Sequence, residues 1–123
     1  MVVAPKDPAP YLYNIDLLTV IAEKNGIECA VIISKNDLSD CSEIKNVYEK
    51  TPFKVFETSS STGHGISKVK DFLEGKISVL CGASGVGKSS LLNSIYPFLE
   101  LETGELSERI SRGKNTTRTT ELF

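Results

Sequence analysis

The chain has 123 residues, 40% apolar and 24% charged, with 14 Lys and Arg against 16 Asp and Glu for a formal net charge of −2. That length suits one domain with its own core, and the balance is that of a soluble globular protein; it excludes nucleic-acid binding driven by overall charge. No apolar run approaches the ~20 residues of a membrane span, no signal peptide is visible, and Cys29, Cys41 and Cys81 with the single His64 form no metal-ligand cluster, so the thiols read as reduced and mostly core.

Val2, Val3 and Ala4 read as the end of a strand, and Pro5, Pro8 and Pro10 mark the loop after it. Residues 14–25 place Ile15, Leu17, Leu18, Ile21 and Ala22 near helical spacing, with Asn14 as the expected N-cap and Gly26 as the stop. Residues 29–34 (CAVIIS) are almost wholly apolar, as in a strand covered on both faces. Asp40 with Glu43 predicts a capping-box variant opening a helix through Lys50, which Thr51-Pro52 ends. Residues 53–58 alternate and read as a strand. Residues 65–73 predict a helix with Ile66, Val69, Phe72 and Leu73 inward, stopped by Gly75. The apolar run 77–81 reads as a buried strand, and a last helix runs to about Tyr96, before Pro97. This alternation predicts an α/β fold with a mostly parallel sheet and helices on both faces. Beyond Pro97 the periodicity fades, and residues 97–123, with the basic Arg109, Arg112, Lys114 and Arg118, are expected to be a mobile functional segment.

Gly82, Ala83, Ser84, Gly85, Val86, Gly87, Lys88 and Ser89 match G-x-x-x-x-G-K-[ST], the phosphate-binding loop, and Ser90 continues it into the helix. Glycines let successive backbone N–H groups turn inward as an anion nest, and the new helix adds its positive end. Lys88 is expected to reach the β- and γ-phosphates, and the Ser89 hydroxyl to ligate Mg²⁺. A Gly-rich turn beside a lysine is the plain alternative; the strand before and the helix after favour a nucleotide site.

Ser34-Lys35-Asn36-Asp37 closes the CAVIIS strand and resembles the guanine motif N-K-x-D. A carboxylate at Asp37 accepts from guanine N1–H and the 2-amino group together, a donor set adenine lacks. The Lys35 stem is expected to lie over the base. Ser34 stands where Asn is usual, which predicts weaker anchoring of this loop to the phosphate loop. Ser59-Ser60-Ser61-Thr62-Gly63-His64-Gly65 follows the next strand and resembles the S-A-x-x-G-x-G segment of GTPases, with the Ser60 backbone N–H on guanine O6. Both segments sit at carboxyl ends of strands, where an open α/β sheet binds its ligand. They precede Lys88, the reverse of the usual GTPase order, so the expected fold is a P-loop NTPase fold in circularly permuted form.

These motifs, with the tail LETGELSERISRGKNTTRTTELF, resemble the ribosome small subunit-dependent GTPase A family over essentially the whole chain. The resemblance implies GTP and GDP as ligands with Mg²⁺, and late small-subunit assembly as the setting. It also implies the small ribosomal subunit and its rRNA as partners, no membrane or DNA partner, a cytoplasmic location and a monomer at full length. It implies that Thr117, with Thr116 as runner-up, is the switch I threonine closing over Mg²⁺, and that Asn115 stands where the family usually has a His beside the attacking water. The basic tail residues would then meet rRNA phosphates. Residues 1–123 would be a partial G domain, with the OB-fold, the D-x-x-G switch II and the zinc domain of the family lying outside this sequence. A nucleotide-binding, ribosome-docking module that does not hydrolyse as this chain is the competing expectation, and an unrelated P-loop ATPase or kinase is a third.

Overall fold

The computed structural model describes residues 1–101 and 103. Its organising element is β2 (Ala30–Ile33), whose four residues are all buried. Successive side chains on a strand point to opposite faces, so an unbroken apolar run needs cover on both. Ile32 packs with Val2, Ala4, Ile66, Val69, Val86, Leu91 and Ile95 on one face. Val31 and Ile33 pack with Val3, Ile15, Ile44 and Tyr48 on the other. The neighbours of β2 are β1 (Val2–Val3) and β3 (Lys54–Glu57), both parallel to it, with Val2 opposite Ile32 and Val31 opposite Val55.

Helices cover the two faces in pairs. Helices α1 (Leu12–Lys24) and α2 (Ser42–Tyr48) supply Ile15, Ile44 and Tyr48 to the second face. Helices α3 (Ile66–Leu73) and α4 (Lys88–Ile95) supply Ile66, Val69, Leu91 and Ile95 to the first. Right-handed crossovers that step the same way along a sheet leave their helices on one face, as β1–α1–β2–α2–β3 does. The chain then doubles back past β1, and α3 and α4 take the opposite face. Cys81 lands beside β1, its carbonyl accepting the Val2 N–H at 2.7 Å. Two neighbouring segments thus send their helices to opposite faces, which opens a crevice at the carboxyl end of the sheet. Among the described residues no helix is long and apolar enough to cross a membrane.

Several expectations need correction. The run 77–81 is not a buried strand: it has no strand assignment, and Ile77 and Val79 are 94% and 80% exposed. Helix α1 begins at Leu12 after Tyr11, not at an Asn14 cap, and Leu17, Leu18 and Ile21 face solvent. Its buried line is Ile15 and Thr19, with Leu12 packed beside them. The Asp40–Glu43 capping box does not form: Cys41 is the N-cap of α2 with no side-chain cap bond, Asp40 instead accepts from the Ser42 N–H (3.0 Å) and Oγ (2.6 Å), and the helix ends at Tyr48, before Lys50. Of the cysteines, all free, only Cys41 is buried, and burial raises its thiol pKa.

Leu91 is 1% exposed, whereas Leu17 is 45% exposed. Leu91→Ala is therefore expected to lower unfolding stability by about 2–4 kcal/mol, and Leu17→Ala by less than about 0.5 kcal/mol. Urea titration of the two variants measures both.

Candidate nucleotide site

The phosphate loop takes its shape from backbone angles that side chains resist. Gly85 and Gly87 have φ of 79° and 93°, in the left-handed region, and Gly87 leads directly into α4. Gly82 is required for a different reason: a Cβ there would run into the Val2 carbonyl oxygen, so the loop could not lie this close to β1. Lys88 opens α4 and folds back over the loop, its Nζ donating to the carbonyls of Gly82 (2.9 Å) and Ala83 (2.8 Å). Burial lowers the pKa of this ammonium. A partly desolvated cation held by neutral carbonyls at a helix N-terminus is electrostatically suited to an anion. Ser89, in the first turn of α4, and Ser90 after it are half-buried.

The second loop, after β2, is locked to the first. Ser34 is 6% exposed, and its Oγ lies 2.6 Å from the Val86 carbonyl oxygen and 3.1 Å from that of Val3. One hydroxyl proton serves the shorter contact best. The serine makes the anchor directly, across 52 residues of sequence. A Cβ at Gly87 would meet Ser34 only in ordinary contact, at 3.8 Å, so it is the φ of 93° that calls for glycine there. Lys35 then turns the chain in a left-handed conformation (φ 56°), and its Nζ donates to the Asp7 carbonyl at 2.7 Å. That tie to the proline-rich loop is invisible in the sequence, since no spacing rule links residues 28 apart.

The third loop, after β3, meets the second. Thr58 N–H donates to the Ile33 carbonyl (2.7 Å) and Asn36 N–H to that of Thr58 (3.1 Å). Ser59 is fully buried, while Ser60 and Ser61 are exposed at the turn. Ser61 Oγ donates to Asp37 Oδ2 at 2.8 Å. The Ser59 and Ser61 hydroxyls hold the Asp37 carboxyl below its usual range, so it is ionised at neutral pH. Gly65 sits with φ 69° where a Cβ would run into the Glu57 carbonyl oxygen, so a glycine is required just before α3.

Ser34, Lys35, Asp37, Ser59, Ser60, Ser61 and the loop from Gly82 to Ser90 thus gather at one edge of the sheet. Thr116, Thr117, Asn115 and the basic Arg109, Arg112, Lys114 and Arg118 lie outside the described residues. Among the described residues no group of three His, Cys, Asp or Glu side chains gathers to hold a metal.

Comparison with known proteins agrees with this geometry. A family model described as RsgA GTPase matches residues 1–123. The small ribosomal subunit biogenesis GTPase RsgA of Thermotoga petrophila and that of Thermotoga maritima are each 44% identical over 128 residues, covering all of this chain and 43% of theirs. The protein of the same name from Caldanaerobacter subterraneus subsp. tengcongensis is 46% identical over 112 residues, covering 89% of this chain and 38% of its own. The crystal structure of YjeQ from Thermotoga maritima superposes with a TM-score of 0.71 at 44% identity, over 84% of this chain and 39% of that one. The chain thus spans 43% of the length of its Thermotoga relatives.

Ser34→Ala removes the only side-chain link described between the second loop and the phosphate loop and strands a buried carbonyl. The expected loss of stability is about 1–2 kcal/mol, with faster amide exchange in residues 82–88 than elsewhere. Hydrogen-exchange mass spectrometry reads the second effect.

Proposed function

Matched over its whole length by the RsgA GTPase family, the chain belongs to that family, and we propose that it is the guanine-nucleotide-binding and GTP-hydrolysing part of a factor in small ribosomal subunit biogenesis. The observation that carries the reading is the Ser34–Val86 bond, which sets an ionised Asp37 and an anion-seeking loop on the same edge of one sheet. An ionised carboxylate that reads two donors and a loop that reads phosphates form the two ends of a guanine nucleotide site.

In this reading the N–H groups of the loop from Gly82 to Ser89 cradle the β- and γ-phosphates. Lys88 exchanges its two carbonyls for phosphate oxygens, and the positive end of α4 adds to the field. Charge that develops as water attacks the γ-phosphorus is held by these fixed groups. The Ser89 hydroxyl would hold a Mg²⁺ ion, a hard cation suited to an oxygen ligand, and the ion would supply positive charge against the phosphates. Thr117 is the proposed switch I ligand, with Asn115 beside the attacking water; an Asn there hydrogen-bonds a water but does not take its proton. Arg109, Arg112, Lys114 and Arg118 are the proposed contacts to rRNA phosphates, which makes docking on the small subunit salt-sensitive.

Titration with fluorescent GDP, GTP and ATP in Mg²⁺ tests the reading. Guanine nucleotides are expected to bind selectively, Lys88→Ala to weaken them by roughly 10- to 100-fold, and Asp37→Asn to shift preference from guanine to xanthine nucleotides. Equal binding of ATP and GTP, unmoved by Asp37→Asn, would reject it.

A further inference from the structure

The Asp37 carboxylate is held by more than one contact, and counting protons limits the direction of each. Ser61 Oγ is 2.8 Å from Asp37 Oδ2, Ser59 Oγ is 2.9 Å from Ser61 Oγ, and the Thr62 N–H donates to Ser59 Oγ at 3.2 Å. An ionised carboxylate only accepts, so the single Ser61 proton points at Oδ2. Ser59 oxygen takes the Thr62 amide, and the Ser59 proton is left for the two oxygens beside it, Ser61 Oγ and the Asp37 carboxylate. The two hydroxyls together brace the carboxylate from a backbone N–H outward. The root of this brace is rigid: Ser59 is fully buried and its N–H donates to the His64 carbonyl at 3.0 Å.

We propose that Ser61 is a specificity-determining positioning residue, whose hydroxyl fixes the rotation of the Asp37 carboxylate so that its remaining lone pairs face the guanine edge. The proposal rests on the guanine reading above. The reason is geometric. Guanine presents N1–H and the 2-amino group as two donors in one plane, and a carboxylate accepts both well only when it lies near that plane. The terminal torsion of Asp is broad, so an exposed Asp37 alone samples many planes. The Ser61 bond uses one lone pair of Oδ2, and a carboxylate has about four such sites, so acceptor capacity remains for the base. Hydroxyls that end on a charge also bond more strongly than a neutral pair.

Inosine diphosphate, which lacks the 2-amino group, is the discriminating probe. Kd values for GDP and inosine diphosphate are measured on the whole chain and on Ser61→Ala, Ser61→Thr and Asp37→Asn, with thermal melts to check folding. Ser61 is exposed, so the truncation leaves the core untouched. Ser61→Ala is expected to weaken GDP about tenfold and inosine diphosphate about threefold, shrinking the preference for guanine, and Ser61→Thr to bring both within about twofold of the unaltered chain. An unchanged GDP Kd in Ser61→Ala, or equal weakening of both nucleotides, overturns the positioning role while Asp37→Asn still loses guanine preference. If Asp37→Asn itself leaves that preference intact, the guanine reading falls, and this proposal with it.

Discussion

A buried hydroxyl joins the parts of this molecule that do different work. Ser34 stands where the central strand ends, and its contact with the Val86 carbonyl ties the loop carrying Asp37 to the loop carrying Lys88. The described buried polar residues are Thr19, Ser34, Thr58 and Ser59, and the last three all cluster at the carboxyl ends of β2 and β3. Burying a polar group is costly unless it is paired. Here all are paired, and no described buried side-chain N or O lacks a partner. The polar atoms are therefore concentrated where loops must hold fixed positions, and the rest of the core is left apolar.

The order of the motifs raises the importance of that link. In this permuted arrangement the loops carrying Asp37 and Ser61 are built from the first half of the chain and the phosphate loop from the second. The halves meet through the apolar cluster that contains Ile32 and Leu91, a backbone bond between Val2 and Cys81, and the Ser34 hydroxyl. Each closes a long loop, and closure entropy grows only slowly with loop length, so a few well-made contacts suffice. What they must supply is direction more than strength. The apolar cluster has no preferred register at the resolution of one hydrogen bond, whereas the hydroxyl does.

Much of this was legible in the residues. A phosphate loop announces itself through glycines that the backbone needs, and CAVIIS announced a strand covered on both faces. The failures share a cause: periodicity reports what a segment is able to bury, not what is present to cover it. Residues 77–81 carry the apolar pattern of a strand, yet Ile77 and Val79 stay in solvent because the described residues lay nothing over them. In α1 the error ran the other way. Thr19 was passed over as polar, but its hydroxyl returns to the carbonyls of Ile15 (2.9 Å) and Asp16 (3.0 Å), leaving an apolar surface toward the core. The N-K-x-D resemblance pointed to Ser34 as the tie to the phosphate loop, but the Ser61 bond was invisible for a third reason. A side-chain hydrogen bond between residues 24 apart is set by the fold and leaves no local signature.

Charge shows the same separation of scales. The chain is mildly acidic overall, which speaks to long-range steering and says little about any one site. Within the phosphate loop the local field is positive: the N-terminal end of α4 and the Lys88 ammonium converge, and the described partners of that ammonium are neutral carbonyls. At the same edge of the sheet, Asp37 is held ionised by serine hydroxyls, without a cation partner among its described contacts. Pairing Asp37 with Lys88 would have neutralised both. Holding each on uncharged groups leaves, at one edge of the sheet, a cation suited to an anion and a carboxylate suited to a pair of donors, which are the two features the proposed guanine nucleotide presents in a single ligand.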